Sequence, residues 1–252
     1  MILVLGGTYD SRKLVEGLLD LGRQVIYSSV TAYNVSSLPI SERLESIIGA
    51  LDEAGLRQVI ADRAVTCLID ATHPYAGEVS VNAIAACEKE KIPYLRMERE
   101  RMKDDGEKTL GFKDYDAVVD YLLKHEGKVL VTTGCRQLEA YERLPKERLI
   151  IRVLPTAKVL AKCESLGYNP KNIIAMQGPF SYDMNIAMLR QYRVRYLITK
   201  DSGEVGGVDD KLLAAEALGV RVLYIKRPEI EYPRVSGNVQ ETLAVIEEEN
   251  IE

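Results

Sequence analysis

The feature that most constrains this chain is the regular alternation of short β-branched runs with amphipathic stretches of helical period. Strands that alternate with helices in this way form parallel βαβ units. The predicted strands cover residues 2–5, 24–28, 44–48, 65–70, 92–96, 128–132, 149–153, 173–176, 196–199 and 221–225. The predicted helices cover residues 11–21, 53–62, 78–90, 114–125, 157–166, 183–192, 211–218 and 239–248.

The number of predicted strands bears on domain count. They could form one very wide sheet or two of medium size, and two halves of about 125 residues fit the usual size of a domain better. We therefore expect an α/β fold with two Rossmann-like domains, residues 1–127 and 128–252, whose mostly parallel sheets face a central cleft. The polar stretch 98–106 and the helix after it would connect them.

Charge and cysteine usage argue against several classes of protein. The net charge of −5 does not predict a nucleic-acid-binding surface. No apolar run is long enough to span a bilayer, and no secretion signal follows Met1. We expect a cytoplasmic protein, a monomer or small homo-oligomer, with neither nucleic-acid nor membrane partners. The cysteines are scattered without a C-x-x-C pair, which predicts free thiols and no metal site: Cys67, Cys87, Cys135 and Cys163.

Five polar or glycine-rich loops directly follow predicted strands. Ligands bind beyond the carboxyl ends of the strands in open parallel sheets, so these loops are the candidate ligand contacts. They begin at Gly6, Asp70, Thr132, Gln177 and Lys200.

The first loop, Gly6-Gly7-Thr8, precedes a helix. Glycines there allow a pyrophosphate to approach the backbone, and amides at the helix start donate to it. The complete G-x-G-x-x-G fingerprint is absent, and a plain tight turn explains the loop equally well. Ser28 ends the second strand, where neither an acidic residue nor an arginine selects between NADH and NADPH.

The loop Asp-Ala-Thr-His-Pro-Tyr at residues 70–75 is the most distinctive. Its Thr72, His73 and Pro74 are candidate cofactor contacts. A lone histidine is more often structural than catalytic, but the position of His73 after a buried strand makes the two interpretations about equal.

The loops of the second half combine cations with flexible backbone. A plausible anion pocket is formed by Lys200, Asp201, Ser202 and Gly203. Lys211 lies in the first turn of the helix that follows, where a cation opposes the helix dipole. The alternative is a solvated lysine. Thr133 and Gly134 form either a second anion cradle or a tight turn. Gln177 lies in a turn whose Ser181 is expected to cap the next helix.

Sequence signatures of nucleophilic and metal-dependent hydrolysis are missing, which favours a cofactor that carries the chemistry. We weigh three functions: an enzyme that uses a dinucleotide cofactor, a two-domain nucleotide-sugar glycosyltransferase, and a dinucleotide-binding redox sensor without turnover. The glycosyltransferase would need a nucleotide-sugar pocket with acidic residues and a strong basic patch. A sensor would not need the second anion pocket.

The five loops, taken in order, resemble those of the precorrin-6A reductases, including the cobalt-precorrin-6A reductases. The resemblance covers nearly the whole chain and is most specific at residues 70–75. It implies two Rossmann-like domains with cofactor and macrocycle in the cleft between them. It also implies reduction of a carbon–carbon double bond of (cobalt-)precorrin-6A to (cobalt-)precorrin-6B by NADH or NADPH in cobalamin biosynthesis.

The resemblance implies a role for each candidate residue. His73 and Asp201 are the candidate proton donors, with solvent as the alternative. The expected cofactor contacts are Gly6, Gly7, Thr8, Ser28, Thr72, His73 and Pro74. The expected contacts to the carboxylates of the tetrapyrrole are Thr133, Gly134, Gln177, Lys200, Ser202, Gly203 and Lys211.

Overall fold

The computed structural model describes residues 1–201, 210–249 and 251. Within them the strands are β1 (Ile2–Leu5), β2 (Val25–Ser29), β3 (Leu44–Ile48), β4 (Cys67–Asp70), β5 (Tyr94–Met97), β6 (Thr109–Phe112), β7 (Lys128–Val131), β8 (Leu149–Val153), β9 (Ile173–Ala175), β10 (Val194–Lys200), β11 (Arg221–Ile225) and β12 (Val235–Ser236).

The helices of the described residues are α1 (Tyr9–Asp20), α2 (Ala32–Val35), α3 (Glu53–Asp62), α4 (Gly77–Glu90), α5 (Tyr115–Leu123), α6 (Ala157–Ser165), α7 (Tyr182–Gln191), α8 (Asp210–Ala217) and α9 (Val239–Glu248). Short 3₁₀ helices cover Leu138–Tyr141, Lys146–Arg148 and Pro170–Asn172. None of the helices in these ranges has the length and apolarity needed to cross a membrane.

The chain forms two compact units. Unit 1 comprises Met1–Glu100 together with Pro228–Glu252, and unit 2 comprises Arg101–Arg227. This division differs from the expected boundary at residue 127. The reason is strand pairing: β6 pairs with β11, so the segment before residue 127 belongs to the second sheet, whereas β12 pairs with β5 and returns the C-terminus to the first.

The sheet of unit 1 has the order β12-β5-β4-β1-β2-β3, and all its recorded pairings are parallel. Its core has two layers because successive residues of a strand point to opposite faces. Ile2 and Val4 pack with residues of α1 and α9 on one face, whereas Leu3 and Leu5 pack with residues of α3 and α4 on the other. Burial of each such side chain contributes about 1.5–3 kcal/mol.

The sheet of unit 2 has the order β6-β11-β10-β7-β8-β9 and is also parallel. Leu130, Ile150 and Leu197 pack on one face with residues of α7 and α8. Five positions of this sheet follow the same order as in unit 1. The outermost position differs: in unit 2 it holds β6, the first strand of the unit in the chain, whereas in unit 1 it holds β12, the last strand of that unit. The sheet of unit 1 therefore has the strand order of a Rossmann fold, and the sheet of unit 2 shares that order in five of its six positions.

The α/β class and the ten expected strands are confirmed. The pattern missed β6, whose sequence Thr-Leu-Gly-Phe is half-exposed and interrupted by glycine, and β12, which is two residues long. Both are edge strands of their sheets. An edge strand pairs with only one neighbour and is less buried, so its sequence contains fewer apolar residues.

Candidate functional site

A pocket lies at the carboxyl edge of the unit 1 sheet, between β1 and β4. The chain runs from β1 to β2 and β3 on one side and returns to β4 on the other, so this is the topological switch point at which open α/β sheets bind ligands. The pocket is small and opens to solvent. It is lined by Thr8, Ala71, Thr72, Pro74, Met97 and Arg99.

The glycine turn between β1 and α1 is held by hydroxyl groups of the chain itself. Gly7 has φ of +116°, and its amide donates to Tyr27 Oη at 2.8 Å and to Ser11 Oγ at 3.2 Å. Thr8 caps α1 by accepting from the Ser11 amide at 3.0 Å, and its hydroxyl donates to the carbonyl of Ala71 at 3.1 Å. These bonds tie the turn to the loop that follows β4.

This bonding changes the roles expected for the turn. The amides of Gly7 and Thr8 donate within the protein, so an anion would use the first amides of α1 instead. A Cβ at Gly6 would lie 2.1 Å from Cε2 of Tyr27, so Gly6 is required by the packing of Tyr27. A Cβ at Gly7 would have nothing closer than 3.5 Å, so the open side of the turn is at Gly7.

Asp70 is the buried anchor of the loop after β4. Its Oδ1 accepts from Thr72 Oγ1 at 2.6 Å and from the Thr72 amide at 3.0 Å. Its Oδ2 accepts from Ser80 Oγ at 2.6 Å and from Tyr94 Oη at 2.9 Å. Burial and then the charge of Asp70 raise the pKa of Tyr94, which keeps that phenol as a donor. Asp70 therefore fixes the pocket wall at Thr72.

Arg96 completes this network from β5. Its Nη1 donates to Asp70 Oδ1 at 2.8 Å, and its Nε donates to Glu98 Oε2 at 2.7 Å. Burial alone would lower the pKa of Arg96, but the charges of Asp70 and Glu98 raise it overall. The guanidinium also lies 5.3 Å from the ring centroid of Tyr232. A buried cation between two carboxylates makes the edge beneath the pocket rigid.

His73 is exposed, whereas its neighbour Pro74 is buried in the pocket wall. The Nδ1 atom of His73 accepts from the amide of Tyr75 at 3.3 Å, and the two rings are 5.6 Å apart. Because Nδ1 acts as the acceptor, the neutral ring carries its proton on Nε2.

The end of β2 borders the glycine turn. The carbonyl of Ser28 accepts from the amide of Gly6 at 2.9 Å, and Ser28 itself is buried. The next hydroxyl, Ser29 Oγ, accepts from Asn34 Nδ2 at 3.0 Å. Ser29 and Asn34 are the side chains nearest to a Cβ built on Gly7, so they border the open side of the turn.

Unit 2 has its own switch point between β7 and β10. Thr133 and Gly134 follow β7, and Lys200 ends β10. Thr133 is buried with its hydroxyl 3.2 Å from Tyr141 Oη. Gly134 has φ of +79°, and a Cβ there would meet nothing within 4 Å, so the backbone is open to a ligand.

Two lysines lie near the end of β10. Burial and then the charge of Arg136 lower the pKa of the half-buried Lys200. Lys211, in the first turn of α8, donates from Nζ to Thr199 Oγ1 at 2.8 Å. The fold thus brings Lys200, Lys211 and Arg136 to one edge of the unit 2 sheet, an arrangement that suits an anion.

Asp201 accepts hydrogen bonds at the points where the chain enters and leaves unit 2. Its Oδ1 accepts from the amide of Met102 at 3.1 Å and from Arg227 Nη2 at 3.1 Å, and its carbonyl accepts from Arg227 Nε at 2.9 Å. These contacts, in a residue that is 2% exposed, indicate a structural role more than proton donation. Ser202 and Gly203, also expected at this site, lie outside the described residues.

The loop after β9 is braced from β8 and α7. Arg152 lies 4.1 Å from the ring centroid of Phe180 and donates to Asn185 Oδ1 at 2.9 Å. The Nδ2 atom of Asn185 donates to the carbonyls of Phe180 and Ser181. Ser181 caps α7 as expected, and Gln177 is exposed.

Three residues of these sites were missed by the sequence pattern. Arg99 lines the pocket and pairs with Asp10 at 2.6 Å, yet it lies in the polar stretch interpreted as a connector. Arg96 offered a signal, because a charged residue inside an apolar strand requires a buried partner. Tyr27 offered none, because an aromatic residue in a strand is ordinary.

The cysteines are free in the structure. Burial raises the pKa of Cys67 and of Cys87 to about 12, so neither is a reactive thiolate. Within the described ranges, no cluster of three or more His, Cys, Asp or Glu side chains could hold a metal ion.

Comparison with known proteins matches residues 1–247 to a family model described as precorrin-6x reductase CbiJ/CobK. The chain is 37% identical to the cobalt-precorrin-6A reductase of Methanothermobacter thermautotrophicus over 247 residues, covering 96% of this chain and 82% of that protein. It is 35% identical to the cobalt-precorrin-6A reductase of Priestia megaterium, covering 96% of each chain.

A solved structure agrees. CobK precorrin-6A reductase superposes with a TM-score of 0.80 at 25% identity, covering 99% of this chain and 97% of the other. The resemblance seen in the five loops is thus confirmed over almost the whole length, and the chain belongs to the precorrin-6x reductase CbiJ/CobK family.

Proposed function

We propose that this protein reduces (cobalt-)precorrin-6A to (cobalt-)precorrin-6B with NADH or NADPH, as a step of cobalamin biosynthesis. The observation that carries the proposal is the family match across residues 1–247, together with the 37% identity to the cobalt-precorrin-6A reductase of Methanothermobacter thermautotrophicus. It is supported by a pocket at the switch point of a sheet with Rossmann strand order.

The nicotinamide cofactor belongs at the pocket of unit 1 in this proposal. When bound, it supplies a hydride, and the residues around it bind and orient it. The open side of Gly7, the start of α1 and Arg99 suit a pyrophosphate. We retain the set Gly6, Gly7, Thr8, Ser28, Thr72, His73 and Pro74, in which Gly6 acts through the packing of Tyr27.

The carboxylates of the tetrapyrrole belong at the switch point of unit 2. Lys200, Lys211 and Arg136 supply positive charge there, and the open backbone at Gly134 supplies room for a carboxylate to approach. Thr133, Gln177, Ser202 and Gly203 complete the proposed set of contacts.

The proton that accompanies the hydride comes from His73 Nε2 in this proposal, with solvent as the alternative. In the neutral ring Nδ1 accepts from the Tyr75 amide. To act as the acid, the exposed ring takes up a proton from water and gives up that hydrogen bond, and the imidazolium then donates its Nε2 proton and returns to the neutral form. Asp201 we assign a positioning role, because its contacts to Met102 and Arg227 are those of an acceptor.

We also propose that the protein works in the cytoplasm, where thiols stay reduced, because all four cysteines are free.

The test is an anaerobic assay of the purified protein with (cobalt-)precorrin-6A and each reduced cofactor, followed by the loss of nicotinamide absorbance. Oxidation that depends on the tetrapyrrole supports the proposal. Cofactor binding without oxidation indicates a sensor, and preference for a nucleotide-sugar indicates a glycosyltransferase.

A further inference from the structure

Three large apolar side chains are exposed at the β8–β9 end of the carboxyl edge of unit 2. Leu154 follows β8 and is 55% exposed, Met176 follows β9 and is 41% exposed, and Met184 in the first turn of α7 is 40% exposed. We call these residues the apolar patch. The amide of Met176 donates to the carbonyl of Val153 at 3.0 Å, so Leu154 and Met176 leave adjacent strands side by side.

The frame beneath the patch is rigid. Arg152, one residue from the end of β8, stacks on Phe180 and donates to Asn185, and Asn185 donates to two carbonyls of the loop that precedes α7. This network fixes the segment from residue 180 to residue 185 against β8. Exposed apolar side chains on a preorganised frame are characteristic of a binding surface, because little ordering is needed when a ligand arrives.

Sheet order places the patch in one row with the proposed anion contacts. Along the edge the strands run β10, β7, β8 and β9, so Lys200 stands at one end, Gly134 next to it, and Leu154 and Met176 at the other end. Three strand spacings of about 4.8 Å make this row roughly 14 Å long. A ligand that covers it must be charged at one end and apolar at the other.

We infer that the apolar patch binds the face of the tetrapyrrole macrocycle while the lysine end of the row binds its peripheral carboxylates. The inference rests on the proposed function and extends it from the rim of the substrate to its ring. A macrocycle is broad, apolar on its faces and charged at its edge, which matches the row. Methionine suits such a surface because its polarizable, flexible side chain adapts to a conjugated ring.

The test uses Leu154→Gln and Met176→Gln in the full-length chain, with Leu123→Gln as the control. Leu123 is exposed to a similar extent in the same unit, but it ends α5 and lies outside the row. We titrate each protein with (cobalt-)precorrin-6A in the absence of nicotinamide cofactor and follow the visible absorbance of the tetrapyrrole. Each patch substitution should raise the dissociation constant for the tetrapyrrole about tenfold, and the control substitution should leave that constant unchanged.

Kinetics and light scattering complete the test. The patch variants should raise KM for the tetrapyrrole while leaving kcat and KM for the cofactor unchanged, because the contact is made equally before and during reaction. Met176→Leu should retain wild-type binding. Equal dissociation constants for the patch variants and the wild-type protein overturn the inference. It is also overturned if light scattering shows a wild-type dimer that the patch substitutions convert to a monomer while tetrapyrrole binding is unchanged. Absence of turnover with binding intact overturns only the proposed reaction.

Discussion

Among single residues, Tyr27 determines the shape of the turn between β1 and α1. Its ring occupies the space beside Gly6, and its hydroxyl accepts from the amide of Gly7 and lies 3.1 Å from Ser11 Oγ. The hydroxyl of Ser11, where a dinucleotide fingerprint has its third glycine, bonds Thr8 and closes the turn. Hydrogen bonds of hydroxyl groups therefore hold this turn, in which two glycines of the complete fingerprint are replaced by Thr8 and Ser11.

Tyr27→Phe tests this role. The substitution keeps the ring but removes the hydroxyl, so we expect the free energy of unfolding to fall by about 1 kcal/mol. KM for the nicotinamide cofactor should rise about fivefold and KM for the tetrapyrrole should stay constant. Urea unfolding and steady-state kinetics measure both, with Tyr196→Phe, buried in unit 2, as the control. Unchanged KM for the cofactor would show that the turn does not depend on Tyr27.

Lys200 gives a pH prediction. Burial and Arg136 lower the pKa of this lysine, and only the protonated form attracts a carboxylate. KM for the tetrapyrrole should therefore rise with pH before an ordinary lysine would lose its proton. Lys200→Arg should keep KM constant over the same range, because arginine stays charged. A wild-type profile that coincides with that of Lys200→Arg would contradict the assignment.

Among the elements, the loop from β4 to α4 owes its conformation to its neighbour β5. Asp70 ends β4, and Arg96 and Tyr94 reach it from β5 while Ser80 reaches it from α4. The pocket wall at Thr72 and Pro74 is thus held by three consecutive elements of the chain, β4, α4 and β5.

Asp70→Asn tests how far the loop depends on this network. The amide has the shape of the carboxylate but leaves the buried Arg96 without that charge, so we expect a loss of about 3 kcal/mol in the free energy of unfolding. The matched control is Glu45→Gln, which breaks the exposed pair with Arg63 and should cost less than about 1 kcal/mol. Similar losses for the two variants in urea unfolding would refute the role given to Asp70.

At the scale of the whole molecule, unit 2 is inserted between the fifth and sixth strands of the unit 1 sheet. The chain leaves unit 1 after β5 and returns with β12 and α9, which cover one face of that sheet with Leu243 and Ile246. Asp201 joins the first and last segments of unit 2 by bonding Met102 and Arg227. Unit 2 thus closes on itself, whereas unit 1 needs both ends of the chain.

Two truncations follow from this arrangement. A fragment of residues 101–227 should unfold cooperatively, because it contains its whole sheet. A chain ending at Arg227 should lose the cooperative unfolding of unit 1 while unit 2 keeps its own, because it lacks the cover of α9. Hydrogen exchange by mass spectrometry distinguishes the two units. If the amides of unit 1 stay protected from hydrogen exchange in the truncated chain, the role assigned to the C-terminal segment is wrong.

Local pattern alone determined the α/β class, ten of the twelve strands of the described residues and the strand-end loops that hold the candidate residues, because hydrophobic period and turn residues are encoded within short stretches. The family was also readable from those loops, above all from residues 70–75. Only the tertiary structure decided the insertion of unit 2, the partnership of Asp70 with Arg96, the pocket contact of Arg99 and the hold of Tyr27 on the glycine turn. These depend on which distant segments pair, and no spacing along the chain records the pairing of β12 with β5.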